Sequence, residues 1–189
     1  SGRRVAGDAI LVCVGGHARR LPIPGAELAI LPDEVLDLPA LPGRVAVIGG
    51  GNTGAQLATV LETFGSQVSL LDLAPRILMA SDAAIAEEVT AAFVARGVDV
   101  RVGIDGVSRL VPSAEGAIDL VLVEDGAERT IEVDAVIMAT GWPADVDDLG
   151  LEHAGLRVER GAIPADEYLR TAVPHVFAVG DANGRDMLV

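Results

Sequence analysis

Lysine is absent. All 14 basic residues of the 189-residue chain are arginine, against 28 Asp and Glu, for a formal net charge of −14. The missing lysine carries the mark of a genomic base-composition bias rather than of a function. So acidic a chain repels polyanions, which excludes nucleic acid and anionic membrane surfaces as partners. Cys13 is the single cysteine, so an internal disulfide and a Cys-x-x-Cys redox pair are both ruled out. His17, His153 and His175 are scattered and give no metal-ligand spacing, so no metal site is expected. No apolar run approaches the ~20 residues that a membrane-spanning helix needs. No apolar stretch of signal-peptide type follows Ser1-Gly2-Arg3-Arg4, and a cytoplasmic protein is expected.

Hydrophobic residues, by contrast, make up 50% of the chain, enough for a substantial core. The length fits one large domain or one and a fraction. Residues 9–15, Ala-Ile-Leu-Val-Cys-Val-Gly, read as a buried strand, which makes Cys13 a core residue. Residues 21–43 are rich in Pro and Leu and read as a connector draped over a surface, with a domain boundary there. From residue 44 the pattern becomes β-α-β. Val45–Ile48 is a strand, Leu57, Val60, Leu61 and Phe64 recur at helical spacing, and Gln67–Asp72 is a second strand. Ser81-Asp82 opens another helix that ends at Gly97, and a strand follows over Val98–Val102. Gly106–Pro112, Ala117–Val123 and Glu128–Val133 are short extended segments, with hairpin chemistry at Glu124-Asp125-Gly126. Ala135–Ala139 and His175–Val179 are the last apolar strands. The spacing predicts an α/β fold: a Rossmann-like parallel sheet, with helices on one face and a three-stranded antiparallel meander on the other.

The most specific chemistry lies where the first of these strands runs into Gly49-Gly50-Gly51-Asn52-Thr53-Gly54. A strand, a G-x-G-x-x-G turn, a helix and an acid ending the next strand form a dinucleotide-binding fingerprint. Gly49 permits the tight turn, Gly51 lets a pyrophosphate approach the backbone, and Gly54 lets the helix pack close. The helix N-terminus then offers unpaired N–H groups and partial positive charge to the phosphates. Asn52 and Thr53 begin that helix, where capping its first turn is the expected use of their side chains and a phosphate contact the other. Asp72, 23 positions after Gly49, is placed to accept both hydroxyls of the adenosine ribose. A carboxylate there repels a 2′-phosphate, so NADH is favoured over NADPH. Arg76 keeps NADPH open, because an arginine nearby can take the phosphate. Trp142 is expected to pack rather than stack, and Asp145, Asp147, Asp148 and Glu152 read as a solvated acidic turn.

Four motifs in order give the chain a resemblance to the pyridine nucleotide–disulphide oxidoreductase family, over nearly its whole length. Ile10–Gly16 with Leu21-Pro22-Ile23-Pro24-Gly25 is similar to the family's "ATG…P-x-IPG" crossing out of the flavin domain. Val45–Gly54 with Asp72 matches its NAD(P) fingerprint, and Ala139-Thr140-Gly141-Trp142-Pro143 its second "ATG" segment. Thr171–Asp181 is similar to "T-x-x-P-x-[IV]-[FY]-A-x-G-D". The resemblance implies that Gly141 borders the nicotinamide end, and that Gly180 and Asp181 approach the flavin. It implies a central NAD(P)-binding domain over residues 41–145, preceded by a flavin-domain stub and connector at 1–40 and followed by a return segment, a second flavin-domain stub, at 146–189. The parent would pass a hydride from NADH to FAD, and dimerise through a domain absent here. The chain alone, with no catalytic residue of its own, is expected to be inactive. The family often carries an aromatic residue and Ile where Asn52 and Thr53 stand, and Glu where Gln56 stands. These departures leave the electron acceptor open. Two other classes fit parts of the pattern: a stand-alone NAD-sensing module without catalysis, and a Rossmann-type methyltransferase.

Overall fold

The structure, a computed structural model, describes residues 5–185 apart from the side chain of Glu115. The Ser1-Gly2-Arg3-Arg4 stretch lies outside the described residues. Along the chain run β1 (Ile10–Val12), β2 (Arg44–Ile48), α1 (Asn52–Thr63), β3 (Gln67–Asp72), α2 (Ala83–Ala95) and β4 (Asp99–Val102). They are followed by β5 (Gly106–Pro112), β6 (Ile118–Glu124), β7 (Ala127–Val133), β8 (Ala135–Met138) and β9 (Val176–Ala178). The chain divides into two compact units, one over residues 18–141 and one made of residues 5–17 with 142–185.

The larger unit is built on a four-stranded parallel sheet in the order β4-β3-β2-β8. Its central strand β2 is apolar throughout after Arg44, and Val45 to Ile48 are all buried, as a parallel strand covered on both faces must be. Side chains alternate across it. Val45 and Val47 join Ala55, Ala58 and Leu61 of α1 and Phe93 of α2 in one core cluster. Ala46 and Ile48 join Leu110, Leu120, Leu122 and Val133 of the meander in another. Helices therefore cover one face and the β5-β6-β7 meander the other, as the sequence pattern predicts. Each fully buried Val, Leu or Ile in these clusters contributes about 1.5–3 kcal/mol. Asp125 (φ 53) and Gly126 (φ 72) form the two-residue turn between β6 and β7; positive φ at both positions marks the type I′ turn that matches strand twist. No helix of the described residues is long and apolar enough to cross a membrane.

The proline-rich connector differs from its sequence reading. It threads into the larger unit rather than lying over it, and Ala26 and Ala29 are buried in the meander-side core. Ile30 donates its N–H to Val136 O (2.9 Å) and accepts from Met138 N–H (3.0 Å), covering the edge of β8. The prolines set its corners, and the small residues between them allow close approach.

In the smaller unit β1 and β9 pair in parallel, Ile10 opposite Val176. The strand expected over residues 9–15 is only three residues long, and it is not buried: Leu11 is 63% exposed. Cys13 is exposed, not a core residue. The physical reason is coverage. Ala144, Val146, Leu151, Leu156 and Ile163 pack on Val176, Ala178 and Val12, and a two-stranded sheet presents few further positions to that cluster. Trp142 packs against Gly16, where a Cβ would stand 2.5 Å from its ring.

Candidate functional site

The order β4-β3-β2-β8 reverses direction at β2, since β3 and β4 extend to one side and β8 lies on the other. In open parallel sheets, ligands bind beyond the carboxyl ends of the strands at such a switch point. Two loops emerge there, Gly49–Gly51 after β2 and residues 139–141 after β8. Gly49 has φ +107 and a Cβ on it would stand 2.2 Å from Ala139 O, so both the conformation and the space demand glycine. Gly54 on α1 lies so close to the turn that a Cβ would meet Gly49 O at 1.8 Å. Gly51 is different. Its φ is −72°, it is exposed, and nothing stands within 4 Å of where its Cβ would be. Conformation or space demands glycine at 49 and 54, and neither demands it at 51.

α1 begins with Gly51 in the N-cap position and without a side-chain cap. Asn52 and Thr53 are exposed, and the expected capping by their side chains does not occur. Both already lie inside the first turn, past the position from which a side chain can reach back to N–H groups. The first-turn N–H groups and the positive end of the helix thus face the opening beside Gly51.

Asp72 closes the site from the other side. Its Oδ2 accepts the Gly50 N–H at 2.6 Å and its Oδ1 the Ala74 N–H at 2.7 Å. A carboxylate oxygen has two lone-pair directions, so each keeps one free. Arg76 is engaged otherwise than its sequence position suggests. Its guanidinium donates to the carbonyl oxygens of Leu78 (2.8 Å), Ser81 (3.1 Å), Met79 (3.2 Å) and, at greater length, Ile77 (3.4 Å).

Gly141, at φ +128, accepts the Arg19 N–H at 3.0 Å. The Arg19 guanidinium donates to Thr140 O at 2.6 Å, and the Thr140 hydroxyl donates back to Arg19 O at 2.9 Å. Gly49, Gly51, Asn52, Thr53, Gly54, Asp72, Arg76 and Gly141 therefore all belong to the carboxyl-end loops of one sheet and the helix they open. Gly180 and Asp181 belong to the smaller unit, just after β9. Gly180 has φ +65, and Asp181 is half-buried and accepts the Gly184 N–H through its backbone carbonyl (3.0 Å). Gly15-Gly16 and Gly180-Asp181 follow paired parallel strands and leave by the same edge.

Sequence reasoning missed Gly50, Ile77, Leu78 and Arg19. The run of three glycines was a signal for Gly50, whose Cβ would stand 2.8 Å from Ile77 Cγ2. Nothing in the sequence marks Leu78, which has φ +51 and donates its N–H to Gly50 O at 2.7 Å.

A family model described as "Pyridine nucleotide-disulphide oxidoreductase" matches residues 1–189. Glutathione reductase of Burkholderia cepacia is 36% identical over 186 residues, which cover 98% of this chain and 40% of that protein. Dihydrolipoyl dehydrogenase of Acholeplasma laidlawii is 32% identical over 188 residues, covering 95% of this chain and 53% of that protein. Among solved structures, the HOCl-induced flavoprotein disulfide reductase RclA of Escherichia coli superposes with a TM-score of 0.82 at 28% identity, over 97% of this chain and 42% of that one. The chain spans about two fifths of the length of the Burkholderia relative and of the Escherichia structure.

Proposed function

This chain belongs to the pyridine nucleotide–disulphide oxidoreductase family, and on that premise we propose that it is the NADH-binding domain of an FAD-dependent oxidoreductase. The observation that carries the proposal is Gly51: a glycine with an ordinary φ and open space around it, which leaves bare backbone at the uncapped start of α1 for a ligand to press against. The pyrophosphate would lie over Gly49–Gly54, taking the N–H groups of Gly51, Asn52 and Thr53 at the uncapped start of α1. The adenosine ribose would rest on the lone pairs that Asp72 keeps free. NADH is favoured over NADPH because Asp72 repels a 2′-phosphate and the Arg76 guanidinium is turned to backbone carbonyls. Gly141 would border the nicotinamide end, and Gly180 with Asp181 the flavin. Bound there, NADH would supply a hydride to FAD, and the electrons would go on to an acceptor. This chain's share is to bind and orient.

In this proposal the nucleotide-binding domain covers residues 41–145, residues 1–40 are a flavin-domain stub and the connector that leads out of it, 146–189 return to the flavin domain, and the parent works as a homodimer in the cytoplasm. The test is a pair of substitutions. Gly51→Ala is expected to keep its circular dichroism and melting temperature but to weaken NADH binding by roughly tenfold or more, as a methyl displaces the pyrophosphate. Gly54→Ala is expected to lose its cooperative melt, because α1 cannot seat on the turn. A Gly51→Ala chain that binds NADH like the wild type contradicts the proposal.

A further inference from the structure

We propose that Arg76 is a positioning residue for the dinucleotide site: by clamping residues 77–81 it aims the Gly51 N–H at the pyrophosphate, and it does not read the 2′-position. This rests on the NADH-binding reading above and deepens it. The chain of contacts is continuous. The Arg76 guanidinium draws the carbonyls of Leu78, Met79 and Ser81 around itself, which folds the segment into a tight turn closed by the Ser81 N–H on Leu78 O at 2.9 Å. Within that turn Leu78 adopts φ +51, a conformation that L side chains resist and that needs outside support. So held, Leu78 donates its N–H to Gly50 O at 2.7 Å, and Ile77 is fully buried with its Cγ2 against Gly50.

The peptide that joins Gly50 to Gly51 is planar and trans, so its N–H points opposite to its C=O. Holding the Gly50 carbonyl toward Leu78 therefore turns the Gly51 N–H away from the 77–81 turn. The Gly50 N–H is fixed separately, by Asp72 Oδ2 at 2.6 Å. One residue is thus pinned at both of its backbone groups, one by the strand-end acid and the other through Arg76. Arg76 is also the only basic residue between Arg44 and Arg96, so its charge and its geometry have to be separated by experiment.

The test uses the full chain as Arg76→Ala and Arg76→Lys, with Arg101→Ala as a control that removes equal charge from β4. Calorimetric titrations with NADH and NADPH are run alongside amide hydrogen exchange on the nucleotide-free protein. Lysine keeps the charge but cannot span several carbonyls with a planar fork. Both Arg76 variants are therefore expected to bind NADH roughly tenfold more weakly, the size of a lost charge-assisted anchor. NADPH should weaken in parallel, so that the ratio of the two affinities is unchanged. The Leu78 amide should exchange at least about tenfold faster, while amides of β2 and β3 keep their protection. Full NADH affinity in Arg76→Lys would overturn the proposal in favour of charge alone. Loss of NADPH binding with NADH binding intact would overturn it in favour of phosphate reading. Unchanged exchange at Leu78 would overturn the clamp itself. A wild-type chain that binds neither nucleotide, with Leu78 exchange accelerated as stated, would instead overturn the NADH-binding reading and take the ligand from this one.

Discussion

At the end of β3 a carboxylate has two possible employers: the fold, which Asp72 serves, and the ribose that we propose it also holds. Its oxygens accept the Gly50 and Ala74 N–H groups within the fold and still present lone pairs outward. Asp72→Asn separates the two duties, because an amide can accept at only one atom and sets a donor against an N–H at the other. We expect it to cost about 1–3 kcal/mol of stability, measured as a lower denaturant midpoint with the slope unchanged. A wild-type midpoint would mean that the two backbone contacts carry no weight. The tight turn at Gly49 and the close helix packing at Gly54 were legible because glycine at that spacing is itself the requirement. Arg76, Cys13, Asn52 and Thr53 were not. What each side chain touches depends on where a turn closes, which strand is covered, or which residue takes the N-cap, and none of these is local to its own position.

Among the elements, α2 and β2 are each fixed at their start by polar contacts. Asp82 caps α2 by accepting the Ala84 N–H at 2.9 Å, as the Ser81-Asp82 pair suggested. Asp82→Ala should destabilise the unit by about 0.5–2 kcal/mol, checked by urea denaturation. β2 is clipped at its start, where Arg44 reaches Asp134 between β7 and β8 (2.6 Å) and Glu132 on β7 (2.6 Å). The hydrogen bond from the Arg44 guanidinium, aided by the Arg44 backbone N–H, holds the Asp134 carboxyl below the usual carboxylate range. The sign follows from linkage. A depressed carboxyl favours the fold above its unfolded pKa near ~4, and that contribution disappears as pH falls through the folded value. Asp134→Asn should therefore be less stable than wild type at neutral pH, with the two stability curves converging in acid; parallel curves down to low pH would contradict this. β2 and β8 were legible because two-sided burial forces an apolar run. The β1 region misled for the same reason. Its apolar run reads like a doubly covered strand, yet Ile10 and Leu11 lie in a pair covered on one side only.

For the molecule as a whole, helices and meander together dehydrate one parallel sheet and leave its carboxyl edge open, with two loops beside the switch point. That arrangement, a helix layer, a sheet and a second antiparallel layer, could be read from the change of period at residue 106. The division into units at 17/18 and 141/142 could not be read from it. The connector's prolines suggested a boundary near residue 40, whereas packing of Ala26 and Ala29 draws the connector into the larger unit. Binding to the folded state alone also predicts a global effect. NADH at 100 times its dissociation constant should stabilise residues 18–141 by about 2.7 kcal/mol, seen as slower exchange of the β2 and β8 amides. The most direct test of the central claim is calorimetric titration of this chain with NADH and NADPH in parallel, repeated on Asp72→Ala. NADH should bind more tightly than NADPH by roughly tenfold or more, with that preference lost in the variant. NADPH binding equal to or tighter than NADH, or an Asp72→Ala chain that keeps the wild-type preference, would contradict it.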